Sequence, residues 1–240
     1  MNQTQPGRPL IFTATYNERE SIGNWIRRTA NAQPEADILI VDDSSPDGTQ
    51  EIIEDVRKEF PQVVLISRPG KQGLATAHLL AMEYARKHEY DVLVTMDADG
   101  SHQPEQIEAV LGGLRGADFC IGTRTRGGSH QAPLLRRGLS HGANIAARIL
   151  LPTGMSEYTT SFRAFTPKAI DVVLAHEYTH GGYAFFVECI EVLYQAGIQM
   201  AEVPIDFLDR QGGTSKIPKN QIFMSAQALV ALSWQRRRGI

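Results

Sequence analysis

Two carboxylates one residue apart, Asp97 and Asp99, follow directly on the apolar run Val92, Leu93, Val94. Placed where a buried strand ends, they point roughly the same way as the chain turns. Their joint charge is costly unless a cation shares it. Mg²⁺ or Mn²⁺ favours such oxygens and keeps positions open for phosphate. The competing reading is an Asp-rich turn that caps a helix, so context decides. A second acidic pair, Asp42 and Asp43, follows another apolar run, and adjacent carboxylates repel unless something uses them. One of the two fits a helix cap; the other is placed to accept a hydrogen bond from a base ring N–H. Gly70, Lys71 and Gly73 let the backbone approach a ribose or phosphate closely. The second half is rich in arginine, whose fork matches phosphate oxygens.

These residues need a frame. Apolar runs at Leu10–Thr13, Ile38–Val41, Val63–Ile66, Val92–Met96 and Phe119–Gly122 predict strands. Between them Glu18–Gln33, Thr49–Phe60, Leu74–His88 and Pro104–Leu114 carry apolar residues at helical spacing. Such alternation implies right-handed crossovers and an α/β fold, with a mainly parallel sheet covered by helices on both faces. The polar clusters 13–18, 42–49, 68–74 and 97–99 then all fall at strand ends, where such sheets bind ligands. Beyond Arg124 the pattern changes. A basic amphipathic helix is expected from Leu134 to Leu151, helices from Pro167 and over Phe185–Gln195, and a late strand over Ile198–Phe207 broken by Pro204.

Composition narrows the class. The 240 residues can bury a sizeable core, and 42% hydrophobic with 21% charged residues is ordinary for a globular protein. A net charge of -3 argues against nucleic acid as partner. Cys120 and Cys189 lie far apart in apolar stretches and read as buried and reduced. The seven histidines show no ligand spacing; His102, beside the acidic pair, is expected to face solvent or cap a helix. Met1 to Pro9 does not read as a secretory signal, and no stretch reaches the ~18–20 apolar residues of a membrane span.

The motifs together resemble a family 2, GT-A-type glycosyltransferase, and more narrowly the dolichyl-phosphate (polyprenyl-phosphate) mannose synthases. The matching stretches are 15–20, 41–49, 73–77, 96–104 and 122–124, then Arg136 with Ser140 and Asn144, 160–163, 182–185 with Glu188, and 202–216. The resemblance implies a nucleotide-sugar donor, most simply GDP-mannose, and a polyprenyl-phosphate acceptor, with Mg²⁺ or Mn²⁺ as cofactor and inversion at the transferred sugar. By position, Asp97, Asp99, Arg124 and Arg210 would carry the chemistry, with the metal on Asp97 and Asp99. Tyr16, Glu18 and Asp43 would hold the nucleoside, with Thr15, Asp42, Lys71, Gly73 and Ala98 completing the donor side. Arg124, Arg136 and Ser140 would bind the acceptor phosphate, and Arg210 with Lys216 would close over the diphosphate. Ala14, Gly100, Phe186 and the run Thr160, Ser161, Phe162 depart from the commonest pattern, at positions expected near the sugar or acceptor pocket.

The resemblance implies one domain over residues 1–216, with a nucleotide-sugar half at 10–123 and an acceptor half at 124–216. A C-terminal amphipathic helix is expected over 217–240, either an ordinary core-packed helix or, the favoured reading, one docked at a membrane with Trp234 at the interface and Arg236–Arg238 facing anionic headgroups. The expected location is the cytoplasmic face of a membrane, held peripherally, with room for a small membrane-anchoring subunit. UDP-glucose or another donor with the same lipid acceptor is the near alternative. Two rivals come from other classes. A haloacid-dehalogenase-like phosphatase would use Asp97, Asp99 and Ser101 as its nucleophile loop, but needs a later acidic pair that the sequence lacks. A non-catalytic sugar-nucleotide-binding module would keep the site without transfer.

Overall fold

The strands form where β-branched and aromatic residues cluster, and alternate residues supply both faces of one sheet. The computed structural model describes residues 7–131, 134–178 and 181–209, together with Leu229 and Trp234. In chain order the first half runs β1 (Pro9–Thr15), α1 (Arg19–Ala32), β2 (Asp37–Asp42), α2 (Thr49–Val56), β3 (Val63–Ser67) and α3 (Leu74–Lys87). Then come β4 (Val92–Thr95), a 3-10 turn at Pro104–Gln106, α4 (Ile107–Gly112) and β5 (Phe119–Thr123). The second half holds β6 (Ser129–His130), α5 (Leu134–Leu150), β7 (Arg163–Phe165), α6 (Pro167–Leu174), α7 (Tyr183–Gln195), β8 (Met200–Pro204) and β9 (Asp206–Phe207).

Seven strands make one sheet in the order β3-β2-β1-β4-β7-β5-β8, and β6 with β9 makes a small second one. Every pairing in the large sheet is parallel except those of β7, which is antiparallel to both β4 and β5. Leu10, Phe12, Leu39 and Leu93 face a layer built from α3, α5, α6 and α7. Ile11, Ile38, Ile40 and Val94 face α1, α2 and α4 on the other side. Full burial of each such side chain stabilises the sandwich by about 1.5–3 kcal/mol. Cys120 and Cys189 are both buried and free, as expected.

Several features depart from expectation, among them the two-residue β6, which falls where a loop is expected. Helix α2 stops at Val56, four residues early, and passes into turns that end at Phe60. The late strand divides at Ile205 into β8 on the large sheet and β9 on the small one. Strand β7 has no counterpart among the expected strands, and its position matters most for the site. The chain turns from β1 outward to β3 and returns to β4, so β1 and β4 flank a switch point whose carboxyl-end crevice is the usual ligand site. Running the opposite way, β7 begins beside the carboxyl ends of β4 and β5, with Arg163 opposite both Thr95 and Ile121. The segment that precedes it therefore lies between the loop after β4 and the loop after β5.

Candidate active site

The first two loops are tied to each other. Asp42, fully buried, accepts Thr15 Oγ1 (2.8 Å), Ser45 N–H (2.9 Å), Ser45 Oγ (2.6 Å) and Gln50 Nε2 (2.6 Å). Fully buried and with four internal donors on its two oxygens, Asp42 is the structural member of its pair. Asp43 accepts Arg68 Nε at 2.7 Å and Gln72 N–H at 3.2 Å. Arg68 also donates to Thr76 Oγ1 and the Gly73 carbonyl, fixing the glycine loop against Asp43. Glu18 N–H donates to Thr49 Oγ1, and the Glu18 carboxylate accepts Ser21 Oγ at 3.0 Å. Lys71 Nζ lies 4.6 Å from the centre of the Tyr16 ring, so the Tyr16 and Lys71 loops meet at the crevice. Asn17 and Ser44 both hold positive φ in these loops, a strained backbone that clusters at ligand sites.

The loop after β4 is held from within. Asp99 is buried, and its Oδ1 accepts the Ser101 N–H (2.9 Å) and the Ser101 hydroxyl; Gly100 supplies the positive φ of 83° that this turn requires. The Asp97 side chain is 38% exposed, and its Oδ1 accepts Ser161 Oγ at 2.6 Å. Ala98 is buried between them.

His102 corrects the expectation of a solvent-facing ring: it is fully buried. Its Nδ1 accepts the Asp97 N–H at 3.0 Å, which leaves the ring proton on Nε2 to donate to Thr160 Oγ1 at 3.0 Å. Burial pushes its pKa down, against the charges of Asp97 and Asp99, while Arg124 adds to the lowering and Glu157 opposes it. The same ring thus feels the acidic pair and the arginine side of the site.

On that side Arg124 grips Glu157 with its fork, Nε to Oε2 at 2.9 Å and Nη2 to Oε1 at 2.7 Å, and Nη2 also reaches Thr159 Oγ1 at 2.6 Å. Its guanidinium lies 4.9 Å from the centre of the Phe207 ring, and that ring meets His102 edge-on at 5.2 Å. Burial alone would push the Glu157 carboxyl up, but Arg124, Asn144 and Thr159 hold it down to about 2. Helix α5 turns Ser140 and Asn144 inward: Ser140 Oγ lies 3.5 Å from Thr159 Oγ1, and Asn144 Nδ2 donates to Glu157 at 2.9 Å.

The side chain of Arg136 and all of Arg210 and Lys216 lie outside the described residues, as does the 217–240 helix apart from a buried Leu229 and an exposed Trp234. The last described residues before Arg210 run beside the acidic loop, where Leu208 N–H donates to the Ser101 carbonyl at 3.0 Å. Sequence reasoning brought Asp97, Asp99, Arg124 and Ser140 into one neighbourhood. It missed Glu157 and the buried role of His102, and it gave Arg68 and Ser161 a place near the site but no partner. A cavity of about 300 Å³ lined by Thr123, Arg126, Met155, Met200 and Glu202 includes neither carboxylate of the acidic pair.

The hard oxygens of Asp97 and Asp99 suit Mg²⁺ or Mn²⁺, which take one or two carboxylates and complete their shell with phosphate oxygens and water. Among the described residues no three His, Cys, Asp or Glu side chains converge as a fuller cage.

Residues 10–174 match Glycosyl transferase family 2. The chain belongs to that family. Family 2 membership makes it a glycosyltransferase and sets the phosphatase reading aside. It is 36% identical over 212 residues to an undecaprenyl-phosphate mannosyltransferase of Micrococcus luteus, covering 88% of this chain and 87% of that one. It is also 36% identical over 219 residues to a polyprenol monophosphomannose synthase of Mycolicibacterium smegmatis, covering 90% and 83%. Two solved structures share the fold. A glucosyl-3-phosphoglycerate synthase from Mycobacterium tuberculosis, solved with Mn²⁺, UDP and glucosyl-3-phosphoglycerate, gives a TM-score of 0.69 at 13% identity over 98% of this chain and 81% of its own. A mannosyltransferase from Pyrobaculum calidifontis, solved with GDP-mannose and Mn²⁺, gives 0.65 at 17% identity over 98% and 65%. The family 2 transferase thus has the expected GT-A architecture.

Proposed function

We propose that this transferase moves mannose from GDP-mannose to a polyprenyl phosphate, with inversion, using a divalent cation at Asp97 and Asp99. The observation that carries the reading is the span of one short segment, which touches Asp97 at Ser161 and Arg124 at Glu157. One segment thereby joins the acidic pair, which in this reading holds the cation, to the arginine side. The near full-length likeness to two proteins named for polyprenyl-phosphate mannosyl transfer supports the choice of donor and acceptor.

The chemistry follows from charge. An acceptor phosphate oxygen bonds to the anomeric carbon as the bond from that carbon to the diphosphate oxygen breaks, and the electron pair leaves with the nucleoside diphosphate. No proton has to move, because the phosphate nucleophile is already anionic. A bound divalent cation supplies charge to the departing diphosphate. Asp97 and Asp99 would hold it, while Tyr16, Glu18 and Asp43, with the supporting loops of Thr15, Lys71 and Gly73, would receive the nucleoside. Arg124, with Arg136 and Ser140, would present the acceptor phosphate, and Arg210 with Lys216 would close over the diphosphate. A charge pair at ~4 Å is worth about 4 kcal/mol at an effective dielectric near 20. Contacts that strengthen as charge develops accelerate the step.

No described helix is long and apolar enough to cross a membrane. In this reading the lipid acceptor is met peripherally, at the cytoplasmic face of a bilayer, in line with the relatives named for polyprenyl-phosphate substrates. The test is a panel of GDP-mannose, UDP-glucose and other sugar nucleotides against undecaprenyl phosphate, with Mn²⁺ or with EDTA. Mass spectrometry of the lipid fraction should show mannosyl product from GDP-mannose alone, lost with EDTA. Product from another donor corrects the sugar. Absence of any lipid-linked product overturns the reading.

A further inference from the structure

We propose that Glu157 and Ser161 are positioning residues, and that the five-residue segment they bound sets the spacing between the acidic pair and Arg124. The inference rests on the donor and acceptor reading above and assigns the part that holds its two sides together.

The segment belongs to no helix or strand, yet more than half of its backbone groups are fixed by side chains. Glu202 accepts the N–H groups of Ser156 (2.6 Å) and Glu157 (2.9 Å). Asn144 Oδ1 accepts the Tyr158 N–H, and the Glu157 carboxylate accepts the Thr159 N–H. Arg163, fully buried, donates to the carbonyls of Tyr158 and Thr160 at 2.8 Å each, and to the Phe186 carbonyl of α7 at 3.1 Å. Thr95 Oγ1 reaches the Ser161 carbonyl at 2.5 Å, which ties the segment to β4 itself.

Loops ordinarily leave such groups to water. Here they are held on both flanks, so the two side chains that face the crevice loops start from a rigid base. Ser161 Oγ donates to Asp97 Oδ1 and fixes that carboxylate's rotation; Glu157 takes the fork of Arg124 and fixes its plane. Site groups held this way need no reorganisation when charge develops. Topology supplies the reason for the placement, since antiparallel β7 delivers this segment between the ends of β4 and β5.

The test uses the full chain and three variants: Ser161→Ala, Ser161→Thr and Glu157→Gln. Calorimetric titration with Mn²⁺ and GDP reads the donor side, the KM for undecaprenyl phosphate reads the acceptor side, and thermal midpoints read the fold. Ser161→Ala should weaken Mn²⁺–GDP binding about 10–100-fold, the effect of removing a partner that orients a metal ligand. It should leave the acceptor KM at the parental value, and Ser161→Thr should restore binding. Glu157→Gln should raise the acceptor KM about tenfold or more, the worth of a hydrogen bond to a charged group, and spare Mn²⁺–GDP binding.

Parental Mn²⁺–GDP affinity in Ser161→Ala overturns the proposal. So do losses on both sides that follow the thermal midpoint, as general loosening would give; the two serine variants keep the test decisive if Glu157→Gln fails to fold. A parent that binds no Mn²⁺–GDP overturns the donor reading and takes this proposal with it. The two failures are distinguishable, because one is read on the parent and the other on the variants.

Discussion

The two acidic residues after β4 do different jobs. Asp99 is buried and braced by Ser101, whereas Asp97 is partly exposed and braced from across the crevice by Ser161. Asp99→Asn keeps the shape and removes a buried charge, so the thermal midpoint should hold or rise. Mn²⁺–GDP affinity should fall by at least about 100-fold, the upper end of what loss of a mere supporting partner costs. Transfer by D99N at the parental rate would remove Asp99 from the site. At this scale the sequence exposes residues whose type is informative by itself: paired carboxylates, and an arginine after a strand. It hides residues whose role comes from a distant partner. Ser161 lies 64 residues from Asp97, and Glu157 lies 33 from Arg124. A serine or glutamate in an irregular stretch has no local pattern that announces such a bond. The one signal available is that Thr160 and Ser161 depart from the commonest family pattern, and both reach the acidic loop. His102 misleads for the same reason, since nothing next to it in sequence shows the Thr160 and Phe162 that bury it.

Among the elements, β7 is the one that shapes the site and the one least legible. It has three residues and opens with an arginine, so neither alternation nor an apolar run marks it. The structure accommodates that arginine by spending its donors on three carbonyls and laying its guanidinium 4.6 Å from the Phe186 ring. Arg163→Met would fill similar space and leave those carbonyls without their donor. The expected cost is on the order of 3–5 kcal/mol. It should appear as a lower urea midpoint with unchanged m, together with faster amide exchange over residues 157–161. An unaltered midpoint would show that water or a neighbour replaces the guanidinium. The long elements of the first half are legible for the opposite reason. Their apolar residues repeat at the helical period over several turns, as in α3, or run unbroken through a strand buried on both faces, as in β2. Length also explains the shorter α2: Phe60 keeps the helical spacing but is reached through turns.

For the whole molecule, acid stability follows from two buried groups, His78 and Glu157. His78 on α3 is ringed by Phe12, Phe185 and Phe186, and burial, helped by the Arg163 charge, pushes its pKa down to about 3 from an ordinary 6.5. Between those values the unfolded chain holds a proton that the folded one refuses, so stability rises with pH across that window and is lost as pH falls below 6.5. Glu157, held at about 2 against an ordinary 4.5, has the same sign. Its contribution is complete above 4.5 and is lost as pH falls toward 2. The urea midpoint should therefore be level between about pH 7 and 8, decline from about 6.5 downward, and steepen below about 4.5. One refused proton gives a slope of up to about 1.36 kcal/mol per pH unit. His78→Phe places another aromatic ring among three and removes the titrating group, so its decline between pH 6.5 and 4.5 should be shallower by that one proton. Parent and variant with parallel profiles over that range would mean that His78 is hydrated or charged in the native state, and that the packing of α7 against α3 is looser than its aromatic contacts imply.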